Sequence, residues 1–197
     1  MTASSTAYLT WMRAGTERLL EIVDGLEEPR FAEPSSLPGW TIGHLVAHLH
    51  FNARALGRLA SWAATGVETP MYDGAGQRER EIATGATLPP AVLKELVRES
   101  AAELDGLLSA LTDEQWTSHV VTAQGRTVSA EEIPWLRVRE VVVHGVDLDG
   151  DSWERWPEEV LRALVFEIVE QRLARGQAPA LAGVLTGRSP GPLPSWL

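Results

Sequence analysis

The sequence predicts an all-α fold, a four-helix bundle with an extra C-terminal helix. Five segments repeat apolar residues at the three- and four-residue spacing of an amphipathic helix. No segment alternates apolar and polar residues for long enough to predict a strand. The 197 residues, 44% of them hydrophobic, provide enough apolar surface for the packed core of one domain.

The first two helices are predicted over about residues 4–27 and 42–65. Thr41 directly precedes the second helix and can cap its start, and Gly66 marks its end. A loop rich in proline and glycine follows. The second helix carries three of the five histidines and is therefore the first place to look for chemistry.

The remaining helices are predicted over about 90–111, 130–147 and 157–175, and the first and last of them open with proline. Residues 112–115 have the pattern of a capping box for a short helical turn. An S-x-x-E start signal, formed by Ser129 and Glu132, precedes the fourth helix. The stretch between these two signals is expected to be irregular or briefly extended.

Composition excludes several classes of function. The net charge of −10 argues against a nucleic-acid surface, which needs clustered Lys and Arg. No apolar run approaches the roughly 20 residues of a membrane span, and the N-terminus lacks the pattern of a signal peptide. The absence of cysteine excludes disulfides, thiolate metal ligands and a cysteine nucleophile. We expect a cytoplasmic protein.

Glu140 and His144 are four residues apart on the predicted fourth helix, so they share one face. Three valines separate them, and a carboxylate in such a setting costs free energy unless something compensates its charge. A divalent cation bound by both side chains would compensate it. The alternative is a Glu–His ion pair at the helix surface.

His44 and His48 share a face of the second helix in the same way, at a spacing that recurs in metal sites. The glutamate of the H-E-x-x-H protease motif is missing. Periodicity does not decide which of the two would bind a metal, and both could instead be half-buried histidines bonded to backbone or carboxylates. His50 points away from this face and is expected at the margin of the site or exposed. His119 is given no role.

The two helices together predict more than either does separately. Two histidines and one carboxylate form an open catalytic metal set, which leaves positions for water or substrate. Zinc is the first expectation, with iron, nickel and manganese as alternatives.

Four stretches also resemble a known family, the mycothiol-dependent maleylpyruvate isomerases of the DinB-like metalloenzyme superfamily. The first, with its G-W-x-x-x-H-x-x-x-H element, is shared across the superfamily, whereas the second and third are narrower and resemble the isomerases themselves. The fourth carries the R-E-x-x-x-H pattern of the family. The similarity covers about residues 8–175. The stretches are residues 37–48 (LPGWTIGHLVAH), 65–72 (TGVETPMY), 121–128 (VTAQGRTV) and 135–147 (WLRVREVVVHGVD).

The resemblance implies that His48, Glu140 and His144 bind zinc, and so it selects His48 over His44. It implies that maleylpyruvate is converted to fumarylpyruvate with mycothiol as the thiol cosubstrate. We expect a monomer or weak dimer. The partners would be small molecules, with no nucleic acid or membrane.

The C-terminal part departs from the family pattern. Family members carry a longer C-terminal portion that contributes an arginine to the site, whereas few residues follow the fifth helix here. Residues 181–188 resemble the arginine-bearing stretch, and the final P-S-W-L resembles the family's end. We therefore predict a helical metal-binding domain over 1–176 and a short, reduced extension over 177–197.

Substrate-binding residues are predicted from the two carboxylates of maleylpyruvate, which suit bidentate arginine contacts. Arg126 and Arg188 rank first, and Arg137 and Arg139 are further candidates. Asn52, one turn past His48, could face the substrate or support the metal ligands.

Two other functions use the same features. A zinc-dependent mycothiol S-transferase would conjugate the thiol to an electrophile and accumulate the adduct. A non-catalytic DinB-like domain would bind a metal or ligand without turnover, and the shortened C-terminus favours that reading slightly.

Overall fold

The computed structural model describes residues 5–149 and 153–188 and confirms the mainly helical fold predicted from the sequence. The α-helices are α1 Ser5–Gly25, α2 Ile42–Thr65, α3 Gln77–Gly85, α4 Pro90–Ser109, α5 Asp113–Trp116, α6 Ile133–Asp149, α7 Glu158–Ala174 and α8 Ala178–Leu185. Single 3-10 turns span Glu28–Ala32, Ala130–Glu132 and Trp153–Arg155, and the strands are β1 His119–Val121 and β2 Thr127–Ser129.

The described residues form two compact units, one over residues 5–149 and one over residues 153–188. The first contains the helices α1 to α6 and the strands, and the second contains α7 and α8. The division predicted from the sequence, at residue 176, stays a prediction.

Helix α2 is the central element of the first unit. It packs against α4 and α6. Helix α1 also contacts both α4 and α6. Sixteen residues of α2 are buried, far more than a single apolar stripe would give. The largest fully buried side chains of these four helices include Leu19, Leu45, Leu56, Leu104 and Leu148.

Both ends of α2 form as predicted. Thr41 accepts a hydrogen bond from the backbone N–H of His44 and caps the helix. At the other end Gly66 takes the left-handed conformation, with φ of 71°, which glycine adopts without a steric penalty. The bounds of α2 agree with those predicted, and the other four predicted helices differ from the observed ones by a few residues at their ends.

Helix α3 was not predicted and occupies part of the expected loop after α2. It packs against α2 at Gly85, where an added Cβ would lie only 2.9 Å from the Ala47 Cβ and from the Phe51 ring. The lack of a side chain therefore lets α3 approach α2 closely, and this fixes the position of the residues at the start of α3.

A small antiparallel hairpin occupies the stretch that was expected to be irregular or briefly extended, and its two strands of three residues confirm the second alternative. Val120 pairs with Val128, and both side chains are buried. The capping box of residues 112–115 is confirmed. The start signal at Ser129 is only partly confirmed, because its hydroxyl accepts from the Glu131 N–H while Glu132 pairs with Arg126.

In the second unit, α7 follows Pro157 as predicted, and α8 is a further helix in what was expected to be a short tail. The two helices contact each other. The final P-S-W-L stretch lies outside the described residues. None of the described helices is long and apolar enough to cross a membrane.

We expect Leu19→Ala to lower the free energy of unfolding by about 2–5 kcal/mol, because it leaves a cavity between helices in a fully buried position. Chemical denaturation monitored by circular dichroism measures this. Val67→Ala is the matched control, since Val67 is 66% exposed and should change stability by less than about 0.5 kcal/mol. Equal effects of the two substitutions would contradict the assignment of the core.

Candidate metal centre

His48, Glu140 and His144 meet between two helices, and we call them the His–Glu–His cluster. His48 lies on α2 and the other two lie one turn apart on α6. One ligand atom from each residue lies within 4.8 Å of the others. The Glu140 Oε2 atom is 2.9 Å from His48 Nε2 and 3.5 Å from His144 Nε2. The three residues that sequence reasoning singled out are therefore brought together.

The cluster is enclosed by the bundle. Both histidines are buried, and the Glu140 side chain is only 13% exposed. Val141 and Val142, which follow Glu140 on α6, are buried as well. An ionised carboxylate at such a place must be compensated by close positive charge or hydrogen bonds.

The two histidines supply that compensation for Glu140. Burial favours the neutral acid, but hydrogen bonds with His144 and His48 outweigh it and hold the pKa of Glu140 well below its ordinary value. For His144, burial opposes the charge, yet hydrogen bonds to Asp147 and Glu140 raise its pKa to about 9. Burial dominates at His48, and its pKa is lowered despite the bond to Glu140. The cluster thus holds an anionic ligand atom beside two ring nitrogens.

Asp147 orients the His144 ring. His144 Nδ1 lies 2.9 Å from Asp147 Oδ2, and the Ser36 hydroxyl donates to the other oxygen of Asp147 at 2.7 Å. A ring that donates Nδ1–H to a carboxylate presents its Nε2 lone pair to a metal, and such partners are usual around metal-binding histidines. Sequence reasoning missed Asp147, although its position three residues after His144 places it on the same helix face.

The remaining histidines of α2 have structural partners. His44 Nδ1 lies 2.8 Å from the Thr41 hydroxyl, and the backbone N–H of Thr41 also donates to it, so His44 completes the capping box of α2. It is therefore His48, and not His44, that joins the cluster. His50 is buried, with Nδ1 2.8 Å from the carbonyl oxygen of Leu96 on α4, so the expectation that it is exposed was wrong. Its place at the margin of the site stays a prediction.

Two further side chains, Trp40 and Arg78, contact His48. The Trp40 ring meets the His48 ring edge-on, with centroids 5.6 Å apart. The Arg78 guanidinium lies 5.7 Å above the Trp40 ring centre, and its Nη2 is 3.5 Å from His48 Nδ1. Burial raises the pKa of Tyr72. The positive charge of Arg78 opposes this rise, and the negative charge of Glu140 adds to it. The sequence does not single out Arg78, because the polar segment that forms α3 has the composition of a loop.

Asn52 is buried and contacts Arg137, another of the residues predicted to bind substrate. Its side-chain oxygen accepts a hydrogen bond from Arg137 Nη1 at 2.8 Å, and the same nitrogen donates to the carbonyl of Leu49 at 2.9 Å. Burial lowers the pKa of the Arg137 guanidinium to about 10. Asn52 thus holds a buried arginine on α6, and its contact with a substrate stays a prediction.

The other predicted substrate residues lie in different surroundings. Arg126 is in the turn of the hairpin, half exposed, and pairs with Glu132 at 2.9 Å. Arg139 is partly buried on α6. Arg188 is in the second unit and donates to the carbonyl of Thr186 at 2.7 Å. The roles of all three in substrate binding stay predictions.

The fold recurs in a distant solved structure. It is similar, with a TM-score of 0.60 and 19% identity, to YfiT from Bacillus subtilis, described as a probable metal-dependent hydrolase with an unusual four-helix bundle topology. The match covers 73% of this chain and 83% of that one. At this identity the likeness supports the fold alone.

Two other solved structures are much more similar. Both are of the mycothiol-dependent maleylpyruvate isomerase, one of them a variant with a histidine replaced by alanine. Each shares 42% identity and a TM-score of 0.82 with this chain, over 85% of this chain and 72% of that chain. No curated protein matches the sequence.

A family model gives the same result. Residues 12–149, which include α2, α6 and the whole His–Glu–His cluster, match the model of the mycothiol maleylpyruvate isomerase N-terminal domain. With this match over more than half of the chain, and with 42% identity to a solved member, the protein belongs to the mycothiol maleylpyruvate isomerase family.

Proposed function

We propose that the protein is a metal- and thiol-dependent cis–trans isomerase that converts maleylpyruvate to fumarylpyruvate with mycothiol as cosubstrate. The observation that carries the proposal is the buried His–Glu–His cluster in a chain of this family. Its substrate and thiol would be small molecules. A cytoplasmic location fits the need for a reduced thiol.

The cluster fits a zinc ion. Two imidazole nitrogens and one carboxylate oxygen are the donor set of many catalytic zinc sites, and three protein ligands leave a coordination position open. Glu140 is held ionised, and His144 is oriented by Asp147 with Nε2 directed to the cluster. When bound, zinc would lower the pKa of a coordinated thiol so that the thiolate predominates at neutral pH.

The reaction needs such a thiolate because a conjugated cis double bond does not rotate readily. Addition of the sulfur to one alkene carbon forms a C–S bond and leaves an enolate. The former double bond is then a single bond and can rotate. Elimination of the thiolate restores the alkene in the trans form, so no atoms are gained or lost. The chain contains no cysteine, so the sulfur must come from a cosubstrate.

The protein's own side chains would provide the setting for this chemistry. The side chains of the cluster are largely buried in the bundle, and burial strengthens the electrostatic interactions of charged groups there. The two carboxylates of the substrate call for arginine, and we propose Arg126 and Arg188 as ligands on the basis of the family resemblance. We propose Asn52, whose side chain holds Arg137, as a further substrate-binding residue.

His48→Ala should weaken zinc binding by more than about a hundredfold, because it removes one of three ligands. Titration calorimetry and metal analysis after dialysis measure this, with about one zinc per wild-type chain expected. His44→Ala is the matched control one turn away. It should cost about 0.5–2 kcal/mol of stability through the lost cap but retain the metal. Loss of zinc from His44→Ala alone would overturn the ligand assignment.

The metal-free protein should lose stability as pH rises from about 6.5 to about 9. His144 binds its proton more tightly in the folded state, with pKa about 9 against the ordinary 6.5, so its contribution is complete below 6.5 and lost above 9. The loss should be on the order of 1–3 kcal/mol. Denaturant titrations with chelator present measure it. His144→Gln should flatten the profile in this window, and an unchanged profile would contradict the shift.

Zinc-loaded protein should convert maleylpyruvate to fumarylpyruvate only when mycothiol is present, and His48→Ala should abolish the reaction. Chromatography with mass detection separates the two isomers and shows any thiol adduct. Accumulation of an adduct without fumarylpyruvate would indicate an S-transferase instead. Full zinc loading without either product would leave a binding domain and refute the isomerase.

A further inference from the structure

Arg78 is held at the edge of the His–Glu–His cluster by the fold itself. It is the second residue of α3, the helix that Gly85 brings close to α2. Its guanidinium lies within cation–π distance of the Trp40 ring, 5.7 Å from the ring centre. The side chain remains 37% exposed, so it faces both the cluster and solvent.

The charge of Arg78 has little compensation from the protein. Its one ion pair in the described part of the chain is with Glu79, at 3.9 Å, and the Glu79 side chain is 68% exposed. By contrast, Arg126 and Arg98 contact carboxylates at 2.9 and 2.8 Å. A guanidinium has five N–H donors, and the hydrogen-bond contact of Arg78 in the described residues is the long one to His48 Nδ1 at 3.5 Å, so donors remain for an anion.

The hydrogen bonding of His48 points to the same ligand. When His48 Nε2 carries the ring proton, it donates to Glu140, and Nδ1 can accept from Arg78 Nη2 at 3.5 Å. When Nε2 serves as a metal ligand, the proton of the neutral ring is on Nδ1. The N–H of His48 Nδ1 and the N–H of Arg78 Nη2 then point at each other without an acceptor between them. A ligand atom that accepts a hydrogen bond from both would satisfy them. A carboxylate has only acceptors and carries the complementary charge.

We propose that Arg78 is the residue that binds a carboxylate of the substrate next to the cluster, with Trp40 fixing the plane of its guanidinium. This assignment rests on the proposed function for the identity of the substrate, an unsaturated dicarboxylate. Arg78 therefore joins Arg126 and Arg188 as a substrate ligand, and it is the one whose guanidinium contacts a residue of the cluster.

The test is the binding of maleate, a dicarboxylate that lacks the reactive ketone, to zinc-loaded protein by titration calorimetry. Arg78→Gln should raise the dissociation constant about 10- to 100-fold, the range expected for lost charged hydrogen bonds. Arg78→Lys should recover part of the affinity, because the charge returns but the two-pronged geometry does not. Arg80→Gln, an exposed neighbour on α3 with the same change of charge, should bind maleate within about twofold of the wild type.

Zinc content and thermal midpoint are measured for every variant, so that damage to the fold or cluster is separated from loss of the anion contact. Unchanged maleate affinity in Arg78→Gln, an equal loss in Arg80→Gln, or no maleate binding by the wild type would overturn the assignment. If maleate binding depends on Arg78 but maleylpyruvate is not isomerised, the assignment stands and the isomerase proposal fails. If maleylpyruvate is isomerised and Arg78→Gln leaves both the maleate affinity and KM unchanged, the isomerase proposal stands and the assignment of Arg78 fails.

Discussion

The Glu140 carboxylate is held ionised inside a helical bundle by imidazole rings from two different helices. Burial alone would favour its neutral form, so the low pKa of Glu140 depends on His48 and His144 keeping their positions. Those positions depend in turn on the contact between α2 and α6 and on the bond from His144 to Asp147. The charge of Glu140, on which the chemistry of the site depends, therefore requires the packing of α2 against α6.

The histidines of α2 show that a partner, and not spacing, decides what a side chain does. His44 completes a capping box, His50 bonds to a carbonyl of α4, and only His48 faces the buried carboxylate. Each ring has a neutral or anionic partner suited to its place on the helix. The H-x-x-x-H motif of His44 and His48 has the spacing of two metal ligands on adjacent helical turns, but it contributes only one residue to the cluster. Helix α6 contributes the other two.

Long helices were predictable because their apolar residues repeat over many turns, and the bounds of α2 follow from its caps at Thr41 and Gly66. Helix α3 was not, because only Ile82 and Gly85 of its nine residues are buried and this is too little for a periodic signal. The strands of three residues and the short α8 lack a signal for the same reason. Spacing identified the faces of the cluster, and it also places Asp147 on the same face of α6 as His144. The position of Arg78, by contrast, depends on tertiary packing that one sequence does not encode locally.

The cluster joins residues 92 positions apart in the chain, one on α2 and two on α6. An ion held there would act as a reversible cross-link that closes a long loop, and such links remove much of the freedom of the unfolded chain. Ligand binding to the folded form alone stabilises it in proportion to the logarithm of the free ligand concentration. The lifetime of this protein in a cell would then follow the supply of zinc, because the metal-free form would unfold more often and be degraded sooner.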